Sequence, residues 1–161
     1  MKHLHISIIA FLCLVTVTPA FAIEAPRIVP RLNTVQMPVN EVYERYKKYF
    51  SDPSTSHFQL VSADARTHTI VAKQSGIDGG SWGNWAFCKA GPVQMIFKYQ
   101  DGTATVTVKL EKTTRKSTLV SVSADFQGLY ALGANQDTIA CTSKFVLEDN
   151  ILAVSGAAGA K

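Results

Sequence analysis

The residue types best suited to chemistry gather in one segment, Gly76-Ile77-Asp78-Gly79-Gly80-Ser81-Trp82-Gly83-Asn84-Trp85, which holds both tryptophans of the chain. Glycine at 76, 79, 80 and 83 makes the backbone pliable. Tryptophan offers a large contact area with few rotatable bonds, so a loop of this kind can bind a sugar, a peptide or a lipid headgroup. Asp78, Ser81, Trp82, Asn84 and Trp85 are its candidate binding residues. The plainer alternative is a connecting loop whose Trp85 starts a strand with Phe87 and enters the core, and Trp82 fits either an exposed or a buried position. A phosphate loop is excluded, because no Gly-Lys-Ser/Thr follows and the segment does not join a strand to a helix. A second candidate is the basic turn Lys112-Thr113-Thr114-Arg115-Lys116. Lys112, Arg115 and Lys116 there can touch phosphate or lipopolysaccharide, or simply form a solvated hairpin tip that discourages edge pairing.

Catalytic patterns are weaker. There is no G-x-S-x-G elbow, and His57 and His68 lie near one another without a further ligand at metal spacing. Asp78 and Asp125 can be paired as glycosidase-type carboxylates, but a chain with twelve acids always permits such a pairing. The reading is therefore of no enzyme, no metal and no cofactor. Cys88 and Cys141, an even pair, are expected to form a disulfide, because exported proteins oxidise such pairs and no CxxC redox motif is present. The loop closed is about 54 residues, which the chain-entropy model values at roughly 4 kcal/mol.

The N-terminus sets the compartment. Lys2 precedes an uncharged apolar run, Ile6 to Val17, then Pro19 and the small-residue site Ala20-Phe21-Ala22. This is the layout of a secretory signal peptide over residues 1–22, cleaved after Ala22. The run is too short for a membrane anchor, which needs roughly 20 residues. Cys13 follows Leu12 and not a small residue, against a lipoprotein site. Removing 22 of 161 residues leaves 139, the size of one domain, with fifteen basic against twelve acidic side chains. That scattered excess is not the clustered basic stripe of a nucleic-acid binder.

The elements that must carry these residues follow from periodicity. Pro26, Pro30 and Pro38 make residues 23–38 an extended leader, with a short strand possible at Leu32 to Met37. Asn40 stands as an N-cap before VYERYKKYF, whose Val42, Tyr43, Tyr46, Tyr49 and Phe50 form one helical stripe. Phe58 to Ser62 and Thr69 to Lys73 pair as a hairpin. Asp101-Gly102 is a two-residue hairpin signal that would set Tyr99 against Ala104 and Phe97 against Val106. A loop at Thr114 to Lys116 then sets Leu110 against Val120, Val108 against Val122 and Val106 against Ala124. A helix capped by Asp137 closes the chain, with Ala140, Leu147, Ile151 and Val154 on its buried stripe. The expected fold is thus α+β: a single antiparallel meander of about four to six strands, with an N-terminal and a C-terminal helix on one face, stapled by one disulfide. The domain covers residues 39–155, and 156–161 form a flexible tail.

This order of VYERYKKYF, FQLVSADARTHTIVA, the Asp101-Gly102 meander and a closing helix resembles the small helix-plus-sheet domains of bacterial envelope proteins such as the outer-membrane assembly lipoprotein BamC. The resemblance implies a scaffold or partner-binding role. Together the features point to an exported, periplasmic or secreted, non-enzymatic binding or accessory protein. Its partner would be an envelope protein or a glycan or peptide ligand, with no nucleic acid and no membrane span after cleavage. The alternatives are an inhibitor of an envelope or host hydrolase and, further off, a small hydrolase.

Overall fold

The computed structural model describes residues 26–88 and 98–156. The signal peptide expected at 1–22, the strand expected at 93–97 and the tail expected from 157 to 161 lie outside the described residues. Within them the chain runs β1 (Arg31–Val35), α1 (Val39–Ser51), α2 (Pro53–Ser56), β2 (Gln59–Asp64), β3 (Thr69–Gln74), α3 (Gly79–Trp85), β4 (Ala86–Phe87), β5 (Lys98–Lys112), β6 (Thr118–Leu132), β7 (Asn135–Ser143) and α4 (Val146–Ala153). The fold is α+β. Its antiparallel strands follow the order β2-β3-β5-β6-β7-β4, and β1 also pairs with β6. No helix among the described residues is long and apolar enough to cross a membrane.

The core follows from strict alternation in β5 and β6. Ala104, Val106, Val108 and Leu110 are buried opposite Phe126, Ala124, Val122 and Val120, as the expected register requires. Burying each larger aliphatic side chain contributes roughly 1.5–3 kcal/mol. The intervening Thr103, Thr105, Thr107, Ser121, Ser123 and Asp125 stay half-exposed on the opposite face. The loop at Thr113–Ser117 is closed by the Ser117 hydroxyl, which lies 2.7 Å and 2.6 Å from those of Thr113 and Thr114. The β2–β3 hairpin also forms as expected, with Asp64 Oδ1 accepting from the Arg66 and Thr67 amides in the turn.

α1 buries Val42, Tyr43, Tyr46 and Phe50 against this sheet, and the Tyr46 hydroxyl donates to the Ile151 carbonyl of α4 at 3.1 Å. The helix starts two residues earlier than the spacing implied. Pro38 is its N-cap, and its carbonyl accepts from the Glu41 and Val42 amides. Asn40 lies inside the first turn and turns its Oδ1 to His68 Nε2 at 3.0 Å.

Two expectations are overturned. Asp101-Gly102 is not a turn: both residues lie inside the fifteen-residue β5, opposite Leu129 and Gly128, so Tyr99 and Ala104 share one strand and do not pair across a hairpin. A two-residue turn of that type needs positive φ at Gly102, and among the described residues the glycines with positive φ are Gly76, Gly133 and Gly156. The irregularity that remains is a bulge between Tyr99 and Asp101. The second correction concerns Asp137 and Cys141, which are strand and not helix residues. Gly133 (φ 60) with Ala134 makes the actual two-residue hairpin, pairing Leu132 with Asn135, and β7 runs on through Cys141. The closing helix begins only at Val146, so Ala140 is an exposed strand residue while Leu147 and Ile151 are buried as expected.

Candidate functional site

The glycine–tryptophan segment folds as a short helix and not as an open loop. Asp78 is the N-cap of α3: its Oδ1 accepts from the Gly80 and Ser81 amides at 2.9 and 3.0 Å, and its Oδ2 from the Ser81 hydroxyl at 2.8 Å. These bonds, the Ser81 amide first, hold the Asp78 carboxyl below the ordinary carboxylate range. The carboxylate and Ser81 are thereby committed to capping the helix.

Trp82 is buried, 4% exposed, and the reason lies in the strands beneath it. Gly102 and Gly128 are direct cross-strand partners, and a Cβ on Gly102 would come within 2.3 Å of Trp82 Cε3. The paired glycines leave a trough in the sheet that the indole fills. Tyr99 stacks on the ring at 5.7 Å between centroids, Phe126 meets it edge-on at 5.6 Å, and Tyr130 closes against Tyr99. The Tyr99 hydroxyl donates to the Ile77 carbonyl, and burial, with Asp101 second, pushes this phenol up to about 12, so it keeps its proton at neutral pH. Indole Nε1 donates to Cys88 Sγ at 3.3 Å.

Cys88 is bonded to Cys141, as expected, but Cys141 lies in β7, so the bridge does not pin the closing helix. β4 pairs with β7 through Ala86–Ser143 and Phe87–Thr142, so the disulfide extends that two-residue ladder and fixes the end of α3 on the sheet edge. Trp85 packs half-buried against the core, and its carbonyl accepts from the Lys144 amide. Asn84 is exposed, while the Lys144 ammonium donates to the Gly83 carbonyl. Of the five residues proposed for the loop, Asn84 and the outer part of Trp85 thus face solvent without a capping or core role.

The other candidates stay apart from this cluster. Lys112, Arg115 and Lys116 are exposed on the β5–β6 hairpin tip. Asp125 lies on the helix-free face opposite Thr105. His57 takes a left-handed conformation at the C-cap of α2, and His68 meets the Tyr43 ring edge-on at 5.8 Å. Among the described residues, no group of three or more His, Cys, Asp or Glu side chains could hold a metal ion.

No family model matches the chain, and no curated protein matches it. One solved structure, a DUF4468 family protein from Bacteroides ovatus, is similar with a TM-score of 0.36 and 12% identity, over 71% of this chain. The match spans 64% of that protein, slightly under two thirds of its length. A likeness of that size carries no inference about this chain's activity.

Sequence reading places Ser121, Ser123 and Asp125 outward but does not single out the helix-free face they share as a candidate surface. Registered rows cross it from β3 to β6: Lys73–Thr105–Asp125, Val71–Thr107–Ser123 and Thr69–Lys109–Ser121. The signal was present in the T-x-T-x-T alternation of residues 103–107. Its breadth became visible only once β3 was paired to β5.

Proposed function

We propose that this chain is an exported, non-enzymatic binding or accessory protein of the bacterial envelope, and that it engages its partner through the helix-free face of the sheet. The observation that carries the reading is the two-sidedness of β5 and β6: every second side chain is core, and the others form a broad polar surface of hydroxyls and both charge signs. Short hydroxyl side chains on paired strands are rigid and lose little entropy on binding, which suits recognition of a glycan or an extended peptide. The disulfide fits an oxidising compartment.

The test is retention of envelope proteins and peptidoglycan fragments on the immobilised mature chain, compared with a Lys73→Glu/Lys109→Glu double variant and with Asn84→Ala. Loss of one retained species with the double variant, and its persistence with Asn84→Ala, is the expected result. Equal retention by all three chains would reject the face. Loss only with Asn84→Ala would return the site to the α3 segment.

A further inference from the structure

β6 has two neighbours along one edge, and they do not meet. β1 pairs with Thr118 to Val122 and β7 with Phe126 to Leu132, while β5 occupies the whole opposite edge. Among the described residues, Ser123, Ala124 and Asp125 therefore have no strand partner on the split edge. α4 packs over β6 and β1, and its Glu148 lies beside the Ala124 backbone at this gap. Glu148 is 0% exposed, and neither carboxyl oxygen has a hydrogen-bond partner. A buried, unpartnered carboxylate is strongly disfavoured, whereas the neutral acid is tolerated.

The charged groups around Glu148 do not neutralise it. Arg31, on β1, senses the Glu148 charge, but its main partner is Asp149 at 2.8 Å, and its guanidinium lies 5.4 Å over the Phe145 ring. Asp149 is a like charge on α4 itself. Asp125, the acid of β6, belongs to the half-exposed helix-free set. α3 carries no charged residue and is capped by Asp78, the Lys144 ammonium donates to the Gly83 carbonyl, and α1 offers the neutral Tyr46 hydroxyl. Desolvation raises the Glu148 pKa; the Ser143 hydroxyl and the Glu148 and Ala124 amides lie toward the carboxyl and favour ionisation, but none closes a hydrogen bond of good geometry, and burial prevails.

We propose that α4 is a pH-gated latch over the split edge of β6, closed while Glu148 holds its proton and released when that proton passes to solvent. Release would uncover the 123–125 edge and the apolar side chains of Leu147, Ile151 and Leu152. α4 is suited to opening ahead of the sheet. It has only eight residues, too few for independent stability, and no side chain caps its start. The sign follows from the raised pKa: closure is fully favoured below the ordinary Glu range near about 4.3 and weakens as pH rises through the higher folded-state value.

Amide hydrogen exchange of the mature chain tests this against Glu148→Gln, corrected for intrinsic exchange. The ratio of wild-type to variant protection at Leu147 to Leu152 should fall by about tenfold per pH unit within that window, while β5 amides remain better protected. A ratio flat from about pH 5 to about pH 8, or α4 amides protected as strongly as those of β5, would overturn the latch. Should Glu148→Gln not fold, the protonated-carboxyl infrared band of the wild-type chain decides. A band that outlasts the ordinary Glu range and disappears together with α4 protection supports the latch, and its absence overturns it.

Discussion

Trp82, Gly102 and Gly128 form one packing unit drawn from three elements. The indole occupies space that any Cβ at 102 would take, so Gly102→Ala should lower stability by about 1–3 kcal/mol in a urea titration. Gly83, also on α3, has nothing within 4 Å of its would-be Cβ, and Gly83→Ala should be neutral or slightly stabilising. Equal effects of the two changes would mean that helix propensity, and not the trough, governs the site. At the same scale Asp78 caps α3 and Asp52 caps α2, the latter accepting from the Ser54 and Thr55 hydroxyls at 2.5 and 2.8 Å. Both pKa values are lowered, so their contribution is present above the ordinary Asp range and is lost as pH falls through the folded-state values. Asp78→Ala should therefore reduce Tm at neutral pH, with the deficit shrinking on acidification. A deficit independent of pH would show that the carboxylate charge is not what the cap uses.

Among the elements, β4 is the most dependent on a covalent tie. Two residues cannot hold a ladder alone, and the pairing with β7 is completed by Cys88–Cys141. Replacing both cysteines by alanine should cost about 2–5 kcal/mol. Hydrogen exchange should rise first at residues 86–88 and 141–143, then at α3, whose last turn leads directly into β4. Uniform loosening of all strands would place the effect of the bridge in the unfolded chain alone. The long β5–β6 pair is far less dependent on any single tie, because fourteen cross-strand pairs fix its register. The hairpins were legible where side chains close the turn, as at Asp64 and at Thr113–Ser117. They were misplaced where glycine decides, since Asp101-Gly102 and Gly133-Ala134 look alike as turn signals and only one adopts positive φ.

At the scale of the molecule, α1, α3 and α4 share one apolar layer, and among the described residues no helix lies on the opposite face of the sheet. Burial pushes the Tyr46 phenol up to about 12, as it does, with nearby charges, that of Tyr99. Raised phenol values mean that the folded chain keeps protons the unfolded chain releases, so stability should fall as pH rises from about 10 to about 12. A Tm profile with an acid limb from the capping aspartates and a steep alkaline limb is the expected shape. Tyr46→Phe should flatten the upper limb, at the cost of its bond to the Ile151 carbonyl. An unchanged limb would mean that Tyr46 ionises freely and that α1 does not seal the core.

Sequence by itself determined the α+β class, the β5–β6 register, the buried stripe of α1 and the cysteine pair, because alternation and helical spacing leave one way to bury each apolar set. Asp137 to Cys141 could not be assigned by that reasoning. A short run of β-branched and small residues fits a strand or a helix, and the Gly133 turn with β6 as partner decided for strand. The place of Trp82 was likewise a tertiary matter. Burial of an indole depends on whether distant backbones leave room, and the cross-strand meeting of Gly102 and Gly128 made that room. Nothing in the sequence around Glu148 marks it as buried. Only the mismatch between the ends of β1 and β7, which α4 covers, turned it into the most deeply enclosed carboxyl among the described residues.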